Sequence, residues 1–167
     1  CSGIQEKTLG IILGRLEFLE YLSLRGLILG PEIVYFIITK FSELRVLNLS
    51  GFNFTTLSFF EQPSFISKII KKLDFSFCKN EFDTEFIKSI IRECKSLKSL
   101  NLSYIQTPKY INKEPQFLFY SFNHSQIDTY SPLEELNVES TNLRDEDLKF
   151  LYKMKDSLIK LNISKCR

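Results

Sequence analysis

The chain of 167 residues contains no tryptophan, one histidine and one methionine. With His124 as the sole histidine, any Cys–His or Ser–His mechanism has a single base to pass through. Phosphate loops of the GxxxxGK(S/T) type, GxGxxG turns and HExxH helices are all missing. The four cysteines, Cys1, Cys78, Cys94 and Cys166, form no CxxC pair and have no histidine close by in sequence, which argues against a zinc site. They are also too few for a disulfide-built secreted scaffold. No apolar run approaches the roughly eighteen residues of a membrane span. The opening CSGIQEKTLGIILGRL lacks the basic start and small-residue cleavage site of a signal peptide. These absences point to a chain that is not an enzyme, with no metal and no cofactor. They also point to reduced thiols inside the cell, with cytoplasm, nucleus or an organelle all open.

What is present is ordinary for a globular domain: 44% apolar residues, 25% charged ones, and enough length to bury a real core. Phenylalanine is plentiful, with 16 copies. The net charge of +2 is too near zero to argue for nucleic acid as a direct specific ligand or for a membrane surface. A start without methionine suggests a processed chain or part of a longer one. Five N-x-S/T sequons, at Asn48, Asn53, Asn101, Asn123 and Asn162, would ordinarily argue for secretion.

The stretch KSLKSLNLSYI, residues 95–105, spaces its leucines by three and then two. Neither an amphipathic helix nor a half-buried strand alone produces that spacing. The pattern L-x-x-L-x-L-x-x-N/C recurs along the chain. Its units begin at Leu19, Leu44, Ile70, Leu97, Leu133 and Leu158, spaced by 25, 26, 27, 36 and 25 residues. Three of the five sequons then follow from the pattern L-N-L/I-S. This pattern resembles the leucine-rich-repeat family over nearly the whole chain. Cys78 and Cys166 fall in the slot after the strand where the cysteine-containing and ribonuclease-inhibitor-like subtypes carry Cys or Asn.

The resemblance implies one domain over residues 1–167, an α/β solenoid of about six repeats. A parallel sheet would line its concave face and helices its convex face. In each unit the last two leucines alternate along a short strand and point inward, and the first sits where the chain turns in. The spacings predict helices over 30–41, 61–72, 83–97 and 144–158. For the third the expected apolar face is Phe86, Ile87, Ile90, Ile91 and Cys94, and for the fourth Leu148, Leu151 and Met154. The acids Glu134 and Glu135 read as a solvated edge, and Asp145, Glu146 and Asp147 as a helix start. Because the chain stops after the sixth strand, a partner or further sequence is expected to cover Leu161 and Ile163.

Residues between the leucines point away from the core. They nominate a partner-binding face of Tyr21, Arg25, Asn48, Lys72, Asp74, Phe77, Asn101, Tyr104, Asn137 and Glu139. Ser50, Ser76 and Ser103 fall in the same outward columns. A solvated asparagine ladder that binds nothing is the competing reading of that face. The long fourth unit places its surplus in residues 107–132, rich in aromatics. Tyr110, Tyr120, Phe122 and His124 there nominate a second partner surface, since exposed aromatics anchor interfaces. The alternative is that QFLFYSF packs inward as part of the unit.

The expected function is non-catalytic protein–protein interaction, as a scaffold, adaptor or accessory subunit of a larger assembly. The resemblance also implies alternatives: the substrate-recognition part of an F-box-type ubiquitin ligase, or a ribonuclease-inhibitor-like or GTPase-activating regulator. Lys68, Lys71, Lys72 and Lys79 leave open a subunit that touches an RNA–protein assembly.

Overall fold

The structure, a computed structural model, describes residues 4–28, 30–52, 69–78, 84–106, 110–111, 114–115, 118–119 and 130–166. Strands β1 (Tyr21–Ser23), β2 (Val46–Asn48), β3 (Lys72–Asp74), β4 (Ser99–Asn101), β7 (Glu135–Asn137) and β8 (Lys160–Asn162) form one six-stranded sheet in that order. Every pairing in it is parallel. The register places Leu22, Leu47, Leu73, Leu100, Leu136 and Leu161 side by side across the sheet. A short antiparallel pair, β5 (Tyr110–Ile111) with β6 (Glu114–Pro115), falls within the long fourth unit.

The uneven leucine spacing now has a physical cause. Leu44, Ile70, Leu97 and Leu133 are buried just before their strands, Leu47, Leu73, Leu100 and Leu136 in the middle of them, and Leu49, Phe75, Leu102 and Val138 just after. Each strand is only three residues long, so one inward position per strand is all it supplies. The burial ends at β8, where Leu161 is 44% exposed and Ile163 is exposed beside it.

Four helices are described: α1 (Glu6–Gly14), α2 (Pro31–Lys40), α3 (Thr84–Glu93) and α4 (Asp145–Tyr152). In α2 Gly30 is the extended N-cap, Pro31 opens the first turn and Lys40 closes the last, as terminus chemistry favours. α1 packs against α2, and Glu6 accepts a hydrogen bond from the Gly30 amide at 3.1 Å. In α3 the expected apolar face, Phe86, Ile87, Ile90, Ile91 and Cys94, is buried in the same core as the strand leucines. Ser131 ties the end of this helix to the chain entering β7. Its amide donates to the Ile91 carbonyl at 2.8 Å. Its hydroxyl proton is shared between the Ile91 and Cys94 carbonyls at 2.5 and 2.6 Å.

The fourth helix corrects one expectation. Leu148 is exposed, and the inward face is Asp147, Phe150, Leu151 and Met154. Asp145, Glu146 and Asp147 open the helix as expected, and Asp147 is fully buried. Its carboxylate accepts the Phe119 amide at 2.8 Å on one oxygen and the Arg144 amide at 2.9 Å on the other. A buried carboxylate persists where it is hydrogen-bonded in this way. Leu118 and Phe119 are buried, with Phe119 against Phe150 at 4.5 Å between ring centroids. That part of QFLFYSF therefore packs inward. Most of the expected helix over 61–72 lies outside the described residues, as do Lys68 and Lys79.

Candidate protein-interaction site

Beyond each strand the chain makes the same turn, and the turn determines what the outer face presents. Asn48 accepts the Ser50 amide at 2.9 Å, Asp74 that of Ser76 at 2.8 Å, and Asn101 that of Ser103 at 3.1 Å. Asn137 accepts the Glu139 amide at 3.0 Å and Asn162 that of Ser164 at 3.1 Å. A side-chain oxygen that accepts from the amide two residues on is the Asx turn, which Asn and Asp make best. The asparagine column thus holds the backbone while remaining half-exposed. Asn48, Asn101 and Asn162, the asparagines of three sequons, each use their side-chain oxygen in this turn.

Ser50, Ser76 and Ser103 are buried, contrary to the outward placement expected for them. The turn carries them under the next rung, where the Ser76 hydroxyl donates to the Ser50 oxygen at 3.0 Å. The following residue has positive φ in all six turns: Gly26, Gly51, Phe77, Tyr104, Ser140 and Lys165, between 56° and 71°. The next residue's amide returns to the carbonyl three earlier, as in Leu27 to Leu24 at 3.1 Å and Phe52 to Leu49 at 3.0 Å. Positive φ at the third of four residues is the type II pattern, which favours glycine. Glycine is used only at positions 26 and 51. Phe77, Tyr104, Ser140 and Lys165 hold the left-handed conformation at a cost of about 1 kcal/mol each.

These six residues also form a row. The Gly26 amide donates to the Ser50 carbonyl, Gly51 to Ser76, Phe77 to Ser103, Tyr104 to Glu139 and Ser140 to Ser164, all at 2.7–3.0 Å. The ladder therefore runs past the strands into the turns. Within the row Phe77 and Tyr104 are stacked, with ring centroids 4.4 Å apart and planes 12° from parallel. Phe77 is 50% exposed and Tyr104 37%. The Tyr104 hydroxyl donates to Glu139 at 2.9 Å, and the Lys165 ammonium donates to the same oxygen at 2.9 Å. Asn162 reaches the other oxygen of Glu139 at 3.4 Å.

Of the remaining nominated residues, Tyr21, Arg25 and Lys72 are exposed on the outer face. Tyr110 lies in β5, apart from the six-stranded sheet. Tyr120, Phe122 and His124 fall outside the described residues. The face therefore brings together Asp74, Phe77, Tyr104 and Glu139 on consecutive rungs. Among the described residues no group of His, Cys, Asp and Glu is placed to hold a metal ion. No helix among them is long and apolar enough to cross a membrane. Cys78, Cys94 and Cys166 are free thiols. Burial pushes Cys78 and Cys94 up to about 12, so both stay protonated at neutral pH and are poor nucleophiles. Cys78 instead donates to the Leu49 carbonyl of the preceding rung at 3.3 Å, and Cys166 repeats the contact to Val138 at 3.1 Å.

The acids of the face and of α4 respond oppositely to pH. Hydrogen bonds from Lys160, then Ser99, hold Glu135 below the usual carboxylate range; those from Lys165, then Tyr104, do the same for Glu139. A depressed folded-state pKa contributes stability above the ordinary carboxylate value and loses it as pH falls through the depressed one. Asp147 is shifted up, first by burial, against the opposing pull of its two amides. Its contribution to stability therefore rises as pH falls through its folded-state pKa. In thermal unfolding followed between pH 3 and 7, Glu135→Gln with Glu139→Gln should flatten the loss of stability at the acid end. Asp147→Asn should steepen it.

No protein-family model and no curated protein matches this chain.

Proposed function

We propose that the chain is a leucine-rich-repeat solenoid that acts as a non-catalytic protein–protein interaction module, a scaffold, adaptor or accessory subunit of a larger complex. Support for the solenoid comes from six strands that follow the repeat in register, each followed by a left-handed residue and five of them ended by the same Asx turn. The observation that carries the function is the stacked pair Phe77 and Tyr104. Two large aromatic rings lie exposed on backbone positions that glycine would fill at lower cost. Backbone strain of this kind clusters at ligand clamps and active sites. Rigid exposed aromatics are also the residues that anchor protein interfaces. Free thiols at Cys78, Cys94 and Cys166 suit a reducing compartment inside the cell.

The test separates stability from binding. Phe77→Gly relieves about 1 kcal/mol of left-handed strain and removes a stack worth about 0.5–1.5 kcal/mol. Its melting temperature should stay close to that of the parent. Capture of partner proteins from cells, quantified by mass spectrometry against the parent chain, should fall about tenfold for Phe77→Gly and again for Tyr104→Ala, as expected of hot-spot residues. Unchanged capture by both variants would overturn the reading. The captured proteins name the role: ubiquitin-ligase adaptors indicate substrate recognition, and organellar or ribosomal subunits indicate an accessory subunit.

A further inference from the structure

We infer that the row of turns contains a slot for an arginine side chain of a protein partner, seated on the free face of the Phe77 ring. The inference rests on the interaction-module reading and specifies what that surface takes. One face of Phe77 is covered by Tyr104. On the other side the ladder continues to Gly51 and then Gly26, which bring no side chains. A Cβ at Gly51 would meet only the Gly26 backbone, at 3.7 Å, and one at Gly26 would meet nothing within 4 Å among the described residues. Among the described residues the stack of rings therefore stops beside two rungs without side chains, which span about 10 Å at the spacing of a parallel sheet. A planar group entering that span would continue the column.

Charge selects which planar group. Asp74 is the acid in a column that otherwise holds Ser23 and asparagines, and it is three residues from Phe77 through the turn. One carboxylate oxygen accepts the Ser76 amide, which fixes the group in the turn that presents Phe77. It forms no ion pair among the described residues, including with Lys72 on its own strand or with exposed Arg25 two rungs away. An aromatic face on the same turn as a carboxylate that has no ion pair among the described residues matches a guanidinium, which stacks flat and donates from its edge. An ammonium lacks the plane, and a phenyl ring lacks the donors.

The experiment titrates the amide-labelled full chain with acetyl-Gly-Arg-Gly-amide and follows Gly26, Gly51 and Phe77 by nuclear magnetic resonance. The lysine and phenylalanine tripeptides and uridine monophosphate serve as comparators. The arginine peptide should shift these three amides saturably and bind about tenfold more tightly than the lysine peptide. Asp74→Asn keeps the turn, since asparagine makes it on other rungs, and should weaken the arginine peptide about fivefold. Phe77→Gly should abolish its binding. Equal binding of arginine and lysine, preference for the phenylalanine peptide or the nucleotide, or no saturable shift would each overturn the inference. If these fail while Phe77→Gly still reduces partner capture, the arginine slot alone is wrong. If Phe77→Gly and Tyr104→Ala leave capture unchanged, the interaction-module reading falls with it.

Discussion

Leu100→Ala is expected to remove about 3 kcal/mol of stability, within the 2–5 kcal/mol typical of buried leucine truncations. Leu100 is buried at the centre of β4, with Leu73 in register on one side and Leu136 on the other. Rungs on both sides hold the backbone in place, so the site can collapse little around the void. For a domain of this size the loss is a large share of the total, about 5–15 kcal/mol. Leu161→Ala in β8 is the matched control: the same residue at the same register position, 44% exposed and covered on one side only. It should cost under about 1 kcal/mol, since much of its surface already meets water. Urea unfolding of the two variants checks both values. Equal losses would mean that Leu100 does not sit between two neighbours and would remove the basis of the stacked-unit reading.

Asp147→Ala is expected to cost about 3 kcal/mol by a different route. The Phe119 and Arg144 amides would both lose their acceptor, and an unsatisfied buried donor costs about 1–3 kcal/mol. The two donors lie far apart in sequence: Arg144 is the N-cap of α4, and Phe119 belongs to the surplus of the long fourth unit. Asp147 therefore holds Phe119 against the helix. Asp147→Asn keeps one acceptor and should lose less. Hydrogen exchange at the Phe119 amide should quicken in the alanine variant more than exchange at β4. Uniform quickening would show that the contact supports the whole fold rather than this junction.

Spacing alone located every strand of the large sheet, because each needs one inward aliphatic residue at a fixed offset from two others. The face of α3 was legible for the same reason. In α4 the leucines suggested a phase that put Leu148 inward, whereas Asp147 and Phe150 take the inward positions. A buried carboxylate cannot be foreseen without its two amide donors, and one of them comes from Phe119, remote in sequence. α1 was missed because its apolar residues lie on more than one side, with Leu13 buried and Ile11 and Ile12 exposed. Gly10 interrupts its pattern as well.

The outer face was legible as a list and not as a mechanism. Asn48, Asp74, Asn101 and Asn137 read as free ladder side chains, yet each holds its own turn. The signal was available: a serine two residues after each of the first three, and glycines at positions 26 and 51 at the same offset from their strands. The stacking of Phe77 on Tyr104 was not available, because it depends on neighbouring rungs bringing together residues 27 apart in the chain.

The left-handed row carries a consequence for how such a surface can change. Once a turn has given up glycine, its backbone penalty is nearly the same whether the residue is Phe77, Tyr104, Ser140 or Lys165. Side chains there can be exchanged for one another at little further expense to the fold. New recognition chemistry could be written onto the rim one rung at a time while the leucine interior beneath keeps its sequence. Gly26 and Gly51 mark the two rungs where that freedom has not been used.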